Sequence, residues 1–212
     1  VPSDSGLGRL LRLGDSGGAF VNGGPRYRDF LTDGCLTCMI VGMVSGTVPT
    51  TLLGAAHAVN RVLRSNRRIK MAHTAAIQGD EVAMRRIVQE CMRLRPSTWP
   101  GVIRRVDLSS ADSAAFAGVQ LRHQEAVIVA VSSALRDASV WVMPNVFYPE
   151  RMTPPDGRIL PDPDPGLAFG LGDHDCLGRW VAEEVTTAVF MKLFARENLH
   201  RVGRMRSRGV FP

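Results

Sequence analysis

A mainly α-helical fold with a small β component is what this 212-residue sequence predicts, on three observations. A long apolar run covers residues 35–63. Two further segments, 79–94 and 179–194, carry apolar side chains at helical spacing. Between them, over residues 99–131, lie short apolar strings separated by turn residues, the pattern of brief strands. With 45% of its residues apolar and 22% charged, a chain of this length buries one sizeable core.

In chain order, residues 1–25 are rich in Gly, Ser and Asp and read as a connector with at most a short helix over 7–13. The boundary is set after residue 27, with a single domain over 28–212. No positively charged and apolar signal segment opens the chain. Val1 in place of Met makes a processed piece or a fragment of a longer polypeptide the expectation.

The apolar run is too long for an ordinary surface helix and is interrupted by Gly42, Gly46, Pro49 and Gly54. About twenty apolar residues suffice to span a membrane. The Ser, Thr and Pro content and the mid-chain position favour a buried core helix instead, so no transmembrane segment is expected. Cys35-Leu36-Thr37-Cys38 has redox or zinc spacing but no second ligand pair nearby, and is read as core packing. No carboxylate occurs from Gly34 to Asn60.

Over 79–94 the apolar face is Val82, Ile87, Val88, Cys91 and Leu94. Glu90 and Arg93, three apart, fall on one side of the same helix and can pair. Strands are expected at 99–106, 117–121 and 126–131. Ser132-Ser133-Ala134-Leu135-Arg136-Asp137 follows, and then Phe147-Tyr148-Pro149-Glu150-Arg151-Met152. The strongest chemical signal comes last: Phe169-Gly170-Leu171-Gly172-Asp173-His174-Asp175-Cys176-Leu177-Gly178, one cysteine in a glycine-rich turn ahead of the amphipathic segment 179–194. A thiolate in such a place can be the axial ligand of a haem iron, where its electron donation favours O–O cleavage. The helix N-terminus would aim amide groups at the sulfur, and the glycines would let the backbone pass close under a flat macrocycle. His174 could reach a propionate.

That string resembles the cysteine-ligand loop of cytochromes P450, Phe-Gly-x-Gly-x-His/Arg-x-Cys-x-Gly, with Ala182 as the small residue that follows. The resemblance implies the C-terminal half of the cytochrome P450 fold over roughly residues 30–203 and haem b (iron protoporphyrin IX) as cofactor. Cys176 is then the iron ligand, and Phe169, Gly170, His174 and Gly178 are cofactor-binding. Phe147 to Met152 is similar to the family's Pro-Glu-Arg-Phe element, with Met152 in place of the last aromatic. By the same resemblance Glu90, Arg93 and Arg151 form a buried structural triad. Residues 132–137 are similar to the segment that precedes that element. One of Arg104 and Arg105 takes the place of a cation sent to a propionate, with Arg104 preferred.

The family's distal helix carries Ala/Gly-Gly-x-Asp/Glu-Thr-Thr, and this chain offers Ser45-Gly46-Thr47-Val48-Pro49-Thr50-Thr51. Thr47 and Thr50 become the candidate catalytic hydroxyls, and the acid position becomes Val48 or Pro49. Dioxygen-dependent turnover needs protons delivered at a defined place, whereas a hydroperoxide already carries its O–O bond at the required oxidation level. The expectation is therefore a haem-thiolate oxidoreductase acting on a lipophilic substrate, a fatty acid or its hydroperoxide, by isomerisation or peroxygenation. Residues 194–203 are similar to the end of P450 domains fused behind fatty-acid haem dioxygenases. Dioxygen-dependent monooxygenation with an external electron donor is the alternative enzyme, and a haem-binding module without turnover is the alternative of another class.

Cytochromes P450 are roughly twice this long. The missing N-terminal half is expected upstream in the same polypeptide or in another chain, ahead of a compact variant of the fold or an incomplete domain. Four cysteines suggest no disulfide framework, and a retained ligand thiol points to a reducing, cytoplasmic setting. The net charge of +6 collects in 61–70 and 196–208 without aromatic interleaving, so nucleic acid is not expected. Such a surface near Cys176 would steer an acidic redox partner. His57, His73, His123 and His200 show no metal-ligand spacing and are read as packing or surface residues.

Overall fold

The computed structural model describes residues 33–98, 101–107, 114–116, 118–152, 165–170 and 175–200. The connector at 1–27 with its short helix, His174 and the basic tail beyond residue 200 lie outside them. Five helices are described: α1 (Asp33–Val62), α2 (Asn66–Gln78), α3 (Glu81–Leu94), the one-turn α4 (Val131–Ala134) and α5 (Arg179–Phe194). Strands β1 (Val102–Arg105), β2 (Ala114–Phe116), β3 (Val119–Leu121) and β4 (Ala126–Val129) fall between α3 and α4. The mainly helical class with a small β component is what the structure has. The chain divides into two compact units, Val1–Pro49 and Thr50–Pro212, with the division inside α1.

In the first unit the described residues are the opening turns of α1. Ser45 donates its hydroxyl back to the Val41 carbonyl at 2.6 Å, and Pro49 has no N–H to offer the Ser45 carbonyl. The expectation of a buried core helix is corrected here: Met39, Ile40, Val41, Met43, Val44 and Val48 are all exposed, about half or more of each side chain. Cys35 and Cys38 are exposed too, so they do not pack a core. An apolar run buries only where something covers it, and no described residue covers this one. By length and mean hydropathy (1.5 over Thr37–Val62) α1 could cross a membrane, a test that the core helix of a soluble protein also passes.

The second unit holds the core. Ala58 and Val62 of α1, Ala72 and Ala75 of α2, Met84, Ile87, Val88 and Cys91 of α3 and Phe190 and Phe194 of α5 make one buried cluster. Cys91 donates its thiol to the Ala58 carbonyl at 3.7 Å, and the two phenylalanine rings meet in a tilted pair with centres 5.1 Å apart. Helix α2, which periodicity did not reveal, is joined to α3 by a two-residue connection with a physical cause for each residue. Gly79 takes φ 68°, a left-handed conformation that closes the helix, while the Asp80 N–H reaches back to the Ala75 carbonyl at 2.9 Å. The Asp80 carboxylate then accepts the Ala83 N–H at 2.9 Å and caps α3. Val82, placed on the core face from sequence, is 59% exposed, and Met84 takes the buried position.

The strands form two antiparallel pairs, β1 with β4 and β2 with β3. In the first, Val102 faces Val129 and Arg105 faces Ala126. Gly101 is required at its end, because a Cβ there would run into the Val129 carbonyl oxygen. Strand β2 lies outside the three expected strands. The helix α4 begins the segment 131–137 and buries Val131 and Leu135 with Trp141 and Met152 in a second, smaller cluster.

Candidate functional site

Two groups of residues from the sequence reading are assembled in the second unit. The first is centred on Glu90, fully buried in the last half of α3. Arg93, one turn on and equally buried, donates Nε to Glu90 Oε2 at 2.7 Å and Nη2 to Oε1 at 2.9 Å. Its remaining Nη1 donates to the carbonyls of Leu135 (2.6 Å) and Pro144 (2.9 Å), and its guanidinium lies 4.8 Å from the Trp141 ring centre. Arg151, in the 3-10 turn Pro149–Met152, donates Nε to Glu90 Oε1 at 3.3 Å. Its other nitrogens reach the carbonyls of Val142, Met143 and Val146. Glu90 Oε1 also accepts the Tyr148 N–H at 3.0 Å. One carboxylate and two guanidinium groups thereby hold five carbonyls of the otherwise irregular stretch 135–146. Buried charge is tolerable only when its hydrogen-bonding capacity is filled, and here the two forks are used almost completely.

The second group surrounds Cys176. The thiol-bearing residue is exposed and is separated from α5 by two residues, Leu177 and Gly178. Its N–H is shared between the Phe169 carbonyl and its neighbour's Asp175 carboxylate, both at 2.9 Å, which closes the loop between residues 169 and 176. Gly170, at φ 91°, turns the chain out of the 3-10 turn Pro165–Phe169. Gly178 caps α5, and a Cβ on it would stand 3.8 Å from Cys176 Sγ. An added Cβ would therefore make only ordinary contact with the sulfur. Arg179, buried, lies over the rings of Phe169 (5.8 Å) and Trp180 (5.1 Å) and faces Glu183 at 3.6 Å. Glu183 in turn accepts Gln89 Nε2 at 3.2 Å, fastening the start of α5 to α3. Sequence reasoning missed Arg179, Glu183 and Gln89; the i,i+4 spacing of Arg179 and Glu183 was the available signal.

The other candidates fall elsewhere. Thr47 and Thr50 are exposed on α1, on either side of Pro49 and on opposite sides of the division between units. Arg104 and Arg105 are both exposed on β1; Arg104 donates to the Ile103 carbonyl at 3.1 Å and Arg105 to the Gln124 carbonyl at 3.3 Å. Their side chains alternate across the strand, so one of the two faces each side. His73 donates Nδ1 to the Phe194 carbonyl at 2.7 Å, a packing role.

The donor set around Cys176 fits a haem. A single exposed, free sulfur suits one axial bond to a flat macrocycle. A metal ion held by several side chains would need more, and among the described residues no group of three or more His, Cys, Asp and Glu side chains comes together.

Comparison with known proteins agrees with that arrangement. Residues 49–200 match the family described as Cytochrome P450. The chain is 26% identical over 163 residues to the epothilone C/D epoxidase of Sorangium cellulosum, covering 74% of this chain and 34% of that one. It is 30% identical over 160 residues to cytochrome P450 BJ-3 of Bradyrhizobium diazoefficiens, covering 73% and 34%. Among solved structures, CYP164A2 of Mycobacterium smegmatis with econazole bound superposes with a TM-score of 0.66 at 22% identity, over 92% of this chain and 41% of that one. Epothilone D-bound cytochrome P450epoK superposes at 0.65 with 23% identity, over 90% and 40%. The chain thus spans about a third of the length of the curated relatives it matches. Proteins of the matched family bind haem b (iron protoporphyrin IX). With the match running over most of its length and the fold shared, this chain belongs to the cytochrome P450 family.

Proposed function

We propose that this chain is the haem-binding part of a haem-thiolate oxidoreductase that oxidises a lipophilic small molecule, with Cys176 as the iron ligand. The observation that carries this reading is the exposed Cys176 thiol just ahead of α5, in a loop closed by the bond from its own N–H to the Phe169 carbonyl. When bound, haem with a thiolate ligand supplies the chemistry that moves an oxygen atom between a peroxide or dioxygen and carbon. The chain's own residues hold and orient. The Cys176 N–H, shared with Phe169 and Asp175, holds the backbone that carries the sulfur. Arg104, in preference to Arg105, and His174 neutralise propionate charge. Phe169 and Gly170 shape the loop, and Glu90, Arg93 and Arg151 hold the 135–151 stretch in place.

We assign proton handling to the hydroxyls of Thr47 or Thr50. The absence of a carboxylate from Gly34 to Asn60 favours a fatty-acid hydroperoxide as substrate, isomerised or used as oxygen donor, since that substrate needs no acid relay. A second reading, monooxygenation with an acidic electron donor, is favoured by the relative named as an epoxidase. The remaining part of the P450 fold is supplied by the same polypeptide or by another chain, in a reducing cytoplasm that keeps the sulfur free.

The test is the carbon-monoxide difference spectrum of the reduced protein after haem loading. A long-wavelength Soret band of a thiolate complex is expected, and Cys176→Ser should remove it; an unchanged band in that variant overturns the assignment. Consumption of a fatty-acid hydroperoxide without NADPH then separates the two enzyme readings. Full haem loading without turnover of either substrate points to a binding module.

A further inference from the structure

A cavity of about 390 Å³ lies between α2, α3 and the 3-10 turn Pro149–Met152, with no lining residue from the loop that carries Cys176. Its walls follow from helical spacing. Arg67, Lys70, Met71, Thr74 and Gln78 recur every three or four residues along one face of α2, and Ala83, Arg86 and Ile87 do so on α3. The floor is apolar, made by Met71, Ala75, Ile87 and Pro149. The rim is cationic. Arg67, Lys70 and Arg86 make no side-chain hydrogen bond or ion pair among the described residues. Two carboxylates share the lining, Asp80 and Glu150, and that of Asp80 is already engaged with the Ala83 N–H.

We propose that this cavity binds a small amphipathic monoanion, a carboxylate carried on a short apolar chain. Three cations against two carboxylates leave one net positive charge, which matches a single negative group. The apolar floor takes the chain, while Thr74 and Gln78 add hydrogen-bonding capacity at the rim. The volume falls in the range of small-molecule sites, roughly 300–1,000 Å³. A protein partner would instead need about 800 Å² of contact on this side, and the twelve residues of two helices and a turn that line this open pocket present less. An occupant would touch α2, α3 and the turn carrying Arg151 at once, so binding would stabilise the fold by mass action.

Isothermal calorimetry on the whole chain with octanoate, octanol and acetate tests this. Octanoate should bind and raise the unfolding midpoint; octanol and acetate should bind at least tenfold more weakly. Arg67→Glu and Lys70→Glu, each checked for an unchanged circular dichroism spectrum, should weaken octanoate at least tenfold. If a charge reversal fails to fold, Arg67→Gln should show a several-fold loss. Cys176→Ser should bind octanoate as the parent does, and octanoate should leave the Soret band of the haem-loaded protein unshifted, which together separate this cavity from the haem site. Equal affinity for octanol, equal affinity in the charge variants, or loss of binding in Cys176→Ser would each overturn the proposal.

Discussion

Arg151 Nε stands 3.3 Å from Glu90 Oε1, joining a 3-10 turn to a helix 61 residues earlier in the chain. Glu90 is fully buried and the Arg151 side chain is 8% exposed, so neither charge has water as an alternative partner. The pair does more than neutralise itself: the same guanidinium collects three carbonyls from residues 142–146.

Arg151→Ala should therefore act on folding and haem retention, not on substrate choice. Removing one member of a buried ion network strands the other, at about 3–5 kcal/mol. Because Arg93 still holds both oxygens of Glu90, the lower end of that range is expected. Urea midpoints and haem content report it, and a variant that is fully loaded with an unshifted midpoint would refute the structural role.

Thiol reactivity should divide the four cysteines by position. Cys35, Cys38 and Cys176 are exposed, while burial pushes the Cys91 thiol up to about 12, with the nearby Arg61 charge opposing. A thiol-specific reagent at pH 8 should label the three exposed sites in the native chain and Cys91 only after unfolding. Haem loading should then protect Cys176 alone. Because the folded value of Cys91 is raised, its contribution to stability is complete below pH 9 and is lost as pH rises from there. Native labelling of Cys91 at the rate of the others would contradict this.

The readability of the chain differed by the kind of interaction. Helix α5 runs over the same residues as its expected segment but is not amphipathic as expected, since it buries Arg179, Glu183, Thr186 and Thr187 and exposes Val181, Val185 and Val189, and α3 begins two residues later than its segment only because Gly79 and Asp80 are the caps. Helix α2 escaped periodicity because its buried positions are Ala72 and Ala75, too small to stand out among Arg and Lys; Ser65 before it and Gly79 after it were the usable signals. The run in α1 is largely exposed up to Leu53 and joins the core only from Ala58 onward, because composition reports what can be covered, not what covers it. The spacing of Glu90 and Arg93 allowed a pair, but burial distinguishes it from an ordinary surface bridge. Its further partners are backbone carbonyls between Leu135 and Val146, which leave no mark in side-chain identity.

Acid sensitivity should report His57. Desolvation, with the Arg95 charge adding, holds its imidazole below the ordinary value of 6.5. The folded state thus disfavours the protonated ring while the unfolded chain accepts the proton at about 6.5. The stabilisation is complete above pH 6.5 and is lost as pH falls below it. His57→Gln removes that difference, so the fall in urea midpoint between pH 7.5 and 5.5 should be smaller than in the parent. An equal fall would place the acid response in other groups.

Gly101→Ala tests the packing of the small sheet. A Cβ at this position would meet the Val129 carbonyl oxygen and lie close to the carbonyl carbon and Ala130 Cα, all backbone atoms that cannot rotate aside. The clash must be relieved by parting β1 from β4 at the Val102–Val129 end. That movement would shift the strand carrying Arg104 and Arg105 relative to the helix that β4 leads into. The substitution should cost about 1–3 kcal/mol, as overpacking does, and should speed amide exchange at Val102 and Val129 more than in α3. Uniform exchange throughout both elements would show that the strand pair does not depend on this close approach.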